Sequence, residues 1–193
     1  MKKITTFIFS LLACLGAWAQ YQPSEEVLKS RKDFQDDKFG IFIHWGIYSM
    51  IGHGEWVMDK EAINYKEYTH LADGFYPSKF NAEEWVKAFK AAGAKYITFT
   101  SRHHDGFSMF KTATSNYNIV DGTPFKRDVL KELADACQKH GMKLHVYYSH
   151  AEWNRLDYPQ GWSAMRTGRP RDKENYDSYL KFMKQQLTEI LTN

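Results

Sequence analysis

Tyr96-Ile-Thr-Phe-Thr-Ser-Arg102 runs directly into His103-His104-Asp105, and this stretch decides the fold. Ile97 and Phe99 alternate with Tyr96, Thr98 and Thr100, a period of two that predicts a strand. A second β-rich run covers Gly40–Tyr48 and contains His44-Trp45. A third covers Lys143–Ser149, where Leu144 and Val146 alternate with His145, Tyr147 and Ser149 ahead of His150. Segments with helical spacing follow. Ala82–Ala92 places Trp85, Val86, Phe89 and Ala92 on one face, with Asn81 as N-cap, Glu84 completing a capping box and Gly93 ending it. Asp128–His140 repeats the design with Val129, Leu130, Leu133, Ala136 and Cys137, and Gly141 closes it. Tyr176–Leu191 continues it with Tyr179, Leu180, Met183, Leu187, Ile190 and Leu191. Ser24–Asp36 reads as a polar helix, and the insertion Gly52–Lys79 as a loop with a short helix around Glu61–His70.

Strand, helix, strand, helix with no hairpin signal means parallel strands joined by crossover helices. Strands covered on both faces should be apolar throughout, and these are not. The apolar set is therefore expected to face the helices and the polar set an interior. That polar set extends into His44-Trp45, His103-His104 and Ser149-His150 at the C-terminal strand ends, where α/β barrels place their sites. The layout predicts an α/β fold comprising the first three or so strand–helix units of a (β/α)8 TIM-like barrel. A complete barrel takes about 250 residues. With a leader removed, 174 of the 193 residues remain (193 less 19), so residues 20–193 read as an incomplete domain that stops where a fourth strand is due.

The composition is 43% hydrophobic and 25% charged, with 26 basic against 23 acidic side chains, which excludes collagen-like, disordered and multi-span membrane classes. The formal charge of +3 falls to about +1 once Lys2 and Lys3 leave, so no basic surplus argues for nucleic acid or anionic membrane. Six Trp, twelve Tyr and thirteen Phe suit a domain that packs rings against flat ligands or sugar faces. Met1-Lys-Lys, an apolar run over Ile4–Leu12 and Ala17-Trp-Ala19 make a secretory leader over residues 1–19, cut after Ala19 and too short to span a membrane. Leu11-Leu-Ala-Cys14 offers a lipoprotein box as the alternative. Simple cleavage leaves Cys137 as the sole cysteine, so no intramolecular disulfide is expected.

Taken singly, each strand-end histidine or tryptophan reads as a satisfied packing residue. Three strands delivering polar groups to one rim read as a site for a neutral, hydroxyl-rich ligand, with Trp45 and Trp56 offering ring faces. Adjacent strand residues point to opposite sides, so His103 and His104 chelate no common ion unless the chain turns there. Neither His-x-His nor His-Glu-x-x-His occurs, and no metal or cofactor is expected. Cys137 reads as packing. Glu152 and Asp157 read as surface or outer-subsite groups, while Asp59 and Glu61 stay unassigned.

Several strings carry a resemblance: Phe39-Gly-Ile-Phe-Ile-His-Trp-Gly46, Gly54-Glu-Trp56, Lys95-Tyr-Ile-Thr-Phe-Thr-Ser-Arg-His-His-Asp-Gly-Phe107 and Val146-Tyr-Tyr-Ser149. With Phe80-Asn-Ala-Glu-Glu-Trp85, Arg127-Asp128 and His140-Gly141, they resemble the α-L-fucosidases of glycoside hydrolase family 29, closely over residues 33–154 and loosely beyond. The resemblance implies a retaining exo-enzyme that removes terminal α-linked L-fucose from glycans, on a (β/α)8-like barrel usually followed by a β-sandwich. It implies a fucose pocket lined by His44, Glu55, Trp56, His103, His104 and Tyr147, and alternation chooses Tyr147 over Tyr148. It places the nucleophilic Asp at the end of the fourth strand and the acid/base further on, so neither role falls to a residue here, Asp105 included. The rival readings are a fucosylated-glycan-binding relative without turnover and a metal-dependent barrel hydrolase that a chelator would silence.

Overall fold

The computed structural model describes residues 21–159 and 166–192, so the leader expected over residues 1–19 lies outside the described residues. The chain divides into two units, residues 1–38 and 39–193. In the first, helix α1 spans Glu25–Asp37; Ser24 caps it by accepting the Val27 N–H, and Lys29–Asp33 and Lys32–Asp36 pair along its face at i,i+4.

The second unit is α/β. Strands β1 (Gly40–Ile43), β2 (Tyr96–Arg102) and β3 (Lys143–Tyr148) form a parallel sheet in the order β1-β2-β3. Helices α2 (Ala82–Ala91) and α3 (Val129–His140) make the crossovers, and α4 (Tyr176–Thr192) follows β3. Asn81 and Gly141 cap as expected, Asn81 accepting the Glu84 N–H and Gly141 ending α3 in the left-handed conformation; Asp128, read from the sequence as the first helical residue, is instead the N-cap of α3 and accepts the Lys131 N–H. The insertion holds three one-turn helices, Val57–Lys60, Tyr65–Thr69 and Leu71–Gly74, instead of one short helix.

Register settles which side chains share a face. Ile41, Ile97 and Leu144 align, as do Ile43, Phe99 and Val146. This face meets the helices, and Ile97 and Phe99 are fully buried in one core with Val86, Val129 and Leu133. Burying each such side chain contributes roughly 1.5–3 kcal/mol. Val146 departs from the expected pattern: on β3 it is 36% exposed. Phe42, Thr98 and His145 align on the opposite face, where Phe42 is an exposed apolar residue among the polar set.

Two corrections concern the strand ends. The first strand stops at Ile43 rather than Tyr48, and Ile47–Met50 is a 3-10 turn. A side chain takes over the ladder: Thr100 Oγ1 accepts the Trp45 N–H at 3.0 Å and donates to the Trp45 carbonyl at 3.0 Å. In β2 a bulge lets Thr100 pair with Tyr147 while Arg102 pairs with Tyr148, leaving Ser101 as the extra residue, its hydroxyl bonded to the Tyr147 carbonyl at 2.9 Å. The bulge reverses the alternation after Thr100, which sends Arg102 behind the sheet and brings His103 to the face of Thr98 and Thr100.

Glu83 on α2 clamps α3. Its carboxylate meets His140 Nε2 at 2.7 Å, Lys139 Nζ at 3.0 Å and its own helix's Lys87 at 3.1 Å. His140 first, then Lys139 and Lys87, hold its pKa at about 2, below the ordinary 4.5. A lowered carboxylate stabilises fully above 4.5 and loses that contribution as pH falls toward 2. Glu83→Gln should therefore flatten the acid limb of a urea-midpoint profile between pH 5 and about 2. An unchanged acid limb would mean that solvent screening cancels the clamp.

Candidate functional site

The rim is assembled by the ends of β1 and β2, the end of β3 and the insertion. His44 leaves β1 and meets His103 at 5.1 Å between ring centroids and Tyr147 at 5.4 Å. His103 and His104 lie 4.7 Å apart. They do not alternate like strand neighbours, because the chain turns after Arg102: the Gly106 N–H bonds the His103 carbonyl at 3.0 Å, and both rings end on one side. Trp56 from the insertion stands edge-on to His104 at 5.3 Å. Glu55, half-buried next to it, is near enough to raise the pKa of His44 against the lowering by burial. The six candidates His44, Glu55, Trp56, His103, His104 and Tyr147 thus converge.

Tyr147 turns its ring toward His44, whereas Tyr148 sends its hydroxyl behind the sheet to Gln186 Oε1 at 2.7 Å. His103 is 3% exposed, and its Nδ1 has no hydrogen-bond partner among the described residues. Burial first, then the neighbouring His104 and His44, push its pKa down to about 3, so the ring is neutral near pH 7. Asp105 is 1% exposed and faces inward, accepting from Tyr68 Oη at 3.0 Å and from the Phe107 N–H at 3.1 Å. Burial pushes it up to about 7 against those two bonds.

Three residues, Trp45, His150 and Glu152, stand elsewhere than the sequence suggests. Trp45 is no ligand platform; it packs with Phe75, Phe80, Trp85 and Phe99 in the core, since Thr100 bonds its backbone and turns it away from the rim. His150 is exposed and lies by Tyr148, outside the ring cluster. Glu152 is not a surface group: it is fully buried in an ion pair with Arg102. Asp157 is taken up by Arg155 at 2.6 Å and by the Ser178 hydroxyl at 2.8 Å. Cys137 is buried, as expected for packing.

The structure adds members that sequence reasoning passed over. Tyr48 is buried with its ring 5.2 Å from His103, and Phe42 flanks His44 at 5.1 Å and Tyr147 at 5.7 Å. Trp153 lies nearly parallel to His104 at 5.0 Å and edge-on to Trp56 at 5.0 Å. A tryptophan just past a strand end was the available signal for it. Among the described residues, no group of three or more His, Cys, Asp or Glu is arranged to hold a metal ion, and no helix is long and apolar enough to cross a membrane.

Imidazoles, phenols, an indole and a carboxylate gathered at the C-terminal ends of parallel strands stand where α/β domains generally place ligand sites. The family model for α-L-fucosidase matches residues 12–193, and the chain belongs to the α-L-fucosidase family. It is 37% identical over 167 residues to a putative α-L-fucosidase of Caenorhabditis elegans, covering 76% of this chain and 34% of that protein. It is 38% identical over 157 residues to the human plasma α-L-fucosidase, covering 69% of this chain and 33% of that one. Among solved structures, α-L-fucosidase isoenzyme 1 from Paenibacillus thiaminolyticus superposes with TM-score 0.78 at 39% identity over 83% of this chain and 39% of that chain. The Lactobacillus casei enzyme AlfC in complex with α-L-fucose product does so with TM-score 0.71 at 34% identity, over 83% and 57%. The chain spans about a third of the length of the curated relatives it matches.

Proposed function

We propose that this chain forms one wall of the fucose pocket of a retaining α-L-fucosidase acting on terminal α-linked L-fucose of glycans. In this reading β1, β2 and β3 are the opening strands of a (β/α)8 barrel, and residues 1–19 are an export leader removed after Ala19, with acylation at Cys14 as the alternative route. The parallel order, the family membership and the plasma designation of the human relative support it.

The observation that carries the reading is the convergence of His44, His103, His104 and Tyr147 from three strand ends, with His44 5.1 Å from His103 and 5.4 Å from Tyr147, and His103 4.7 Å from His104. Imidazoles and a phenol each donate to or accept from a hydroxyl, as Glu55 accepts from one, while Trp56 and exposed Phe42 suit the methyl and C–H edges of a deoxy sugar.

Retaining hydrolysis needs a nucleophilic carboxylate and an acid/base about 5–5.5 Å apart. Asp105 and Glu152 are committed to internal partners, and Glu55 alone supplies no pair. We assign neither catalytic role to a described residue. The 193-residue chain should bind L-fucose, should leave an aryl α-L-fucoside uncleaved, and should lose at least tenfold in affinity on His103→Ala. NMR titration with L-fucose, against D-mannose as control, reads the first and third. No shift at His44 or His103 would end the fucose reading, and robust cleavage would overturn the placement of the carboxylates.

A further inference from the structure

Behind the imidazoles lies an ion pair out of reach of any sugar. Arg102 is 2% and Glu152 0% exposed, and they meet through Nη2 and Oε2. Each end grips a different segment. Arg102 Nε donates to the Gly106 carbonyl at 3.2 Å, holding the turn that carries His103 and His104. Glu152 Oε1 accepts the backbone N–H of Asn154 at 2.8 Å and of Arg155 at 3.2 Å, folding the loop after β3 around itself. The pair therefore staples this loop to that turn.

Two further bonds cross the stapled seam, and both involve His104. The Trp153 N–H donates to the His104 carbonyl at 2.7 Å, and His104 Nδ1 lies 2.9 Å from the Ala151 carbonyl. A carbonyl only accepts, so Nδ1 carries the proton; in the neutral imidazole Nε2 is then an acceptor. The buried Trp153 ring, 27° from parallel to His104, fixes the plane from the other side.

We infer that Glu152, through its pair with Arg102, is a positioning residue that fixes the plane and tautomer of His104, so that Nε2 meets the pocket as a hydrogen-bond acceptor. The fucose reading enters only in the statement that a sugar hydroxyl donates to this Nε2; the tautomer stands without it. An Nε2 that carried the proton would present a donor to the same hydroxyl and demand a different ligand orientation.

Histidine nitrogen shifts in the 15N-labelled 193-residue chain test this, with near-UV circular dichroism reporting the fold. The unchanged chain should show His104 protonated at Nδ1. Glu152→Gln should move its nitrogens toward the average of both tautomers and weaken L-fucose binding about tenfold. Arg102→Met combined with Glu152→Gln strands no buried charge and should behave alike. An Nε2-protonated His104 in the unchanged chain, or a pure Nδ1 tautomer in folded variants, overturns the inference. A lost tautomer with unchanged fucose binding upholds it and removes His104 from the fucose reading. Should both variants unfold, exchange of the His104 Nδ1 proton in the unchanged chain decides: protection equal to that of the Trp153 N–H supports the staple, and fast exchange overturns it.

Discussion

Gly106→Ala should destabilise this chain by on the order of 4 kcal/mol, far more than its single methyl suggests. Gly106 has φ +81°, where an L side chain costs about 1–2 kcal/mol. Its added Cβ would stand 2.4 Å from Glu152 Oε1 and 3.1 Å from Asn154 Cβ. Glu152 has no room to retreat: it is fully buried, paired to Arg102, and accepts two backbone N–H groups. Each bond to a charged group is worth about 1.5–3 kcal/mol, so losing even one completes the estimate. Gly52→Ala is the internal control. Gly52 also has positive φ, +77°, but a Cβ there meets nothing within 4 Å, and only the conformational cost of about 1–2 kcal/mol remains. Urea denaturation of both variants reads the difference. Equal losses would mean that Glu152 is mobile and that the seam it holds is loose.

Asp105→Asn should reverse the pH dependence of stability over the acid range. The folded carboxyl is raised to about 7 from 3.8, foremost by burial. Between those values the folded state holds a proton that the unfolded state releases, so stability falls as pH rises, by on the order of 4 kcal/mol in all. His103 works in the other direction. With its pKa lowered from 6.5 to about 3, the unfolded state takes up the proton first on acidification, and stability rises with pH across that window. The two slopes largely cancel in the parent chain between pH 4 and 6.5. Asp105→Asn removes the falling slope and should leave a profile that climbs steeply toward neutrality. His103→Asn should show the reverse, a profile that declines from about pH 4 to 7. Urea midpoints at half-unit pH steps check both. A variant profile parallel to the parent's would show that Asp105 titrates near its ordinary value and that burial is relieved by water.

Much of the fold was legible along the chain because local rules decide it. Alternating Ile97 and Phe99 with threonines made β2, helical spacing made α2 and α3, with Asn81 capping α2, and Gly141 ended a helix as only a residue at ease with positive φ can. The candidate rim was legible for the same reason, since strand direction alone carries His44, His103 and Tyr147 to one end of the sheet. The choice of Tyr147 over Tyr148 required nothing beyond a period of two.

Alternation failed where the chain stops being a regular strand. The bulge at Ser101 reverses parity, so Arg102 points behind the sheet and His103 forward, and the turn after it puts His104 on the same side. Trp45 goes to the core because a threonine hydroxyl 55 residues away captures its backbone. Glu152, a charged residue in a polar loop, has every local sign of exposure and is nevertheless sealed against Arg102.

By itself the sequence determined the strands, the helices with their caps, and which chemistry reaches the rim, because periodicity and capping are settled within a few residues. Only the tertiary structure decided how the imidazoles are turned and what holds them there. Those outcomes depend on a desolvated ion pair and hydrogen bonds between segments about 50 residues apart in the chain, such as His104 to Ala151 across 47 residues, and these acquire their strength only once the sheet has excluded water around them.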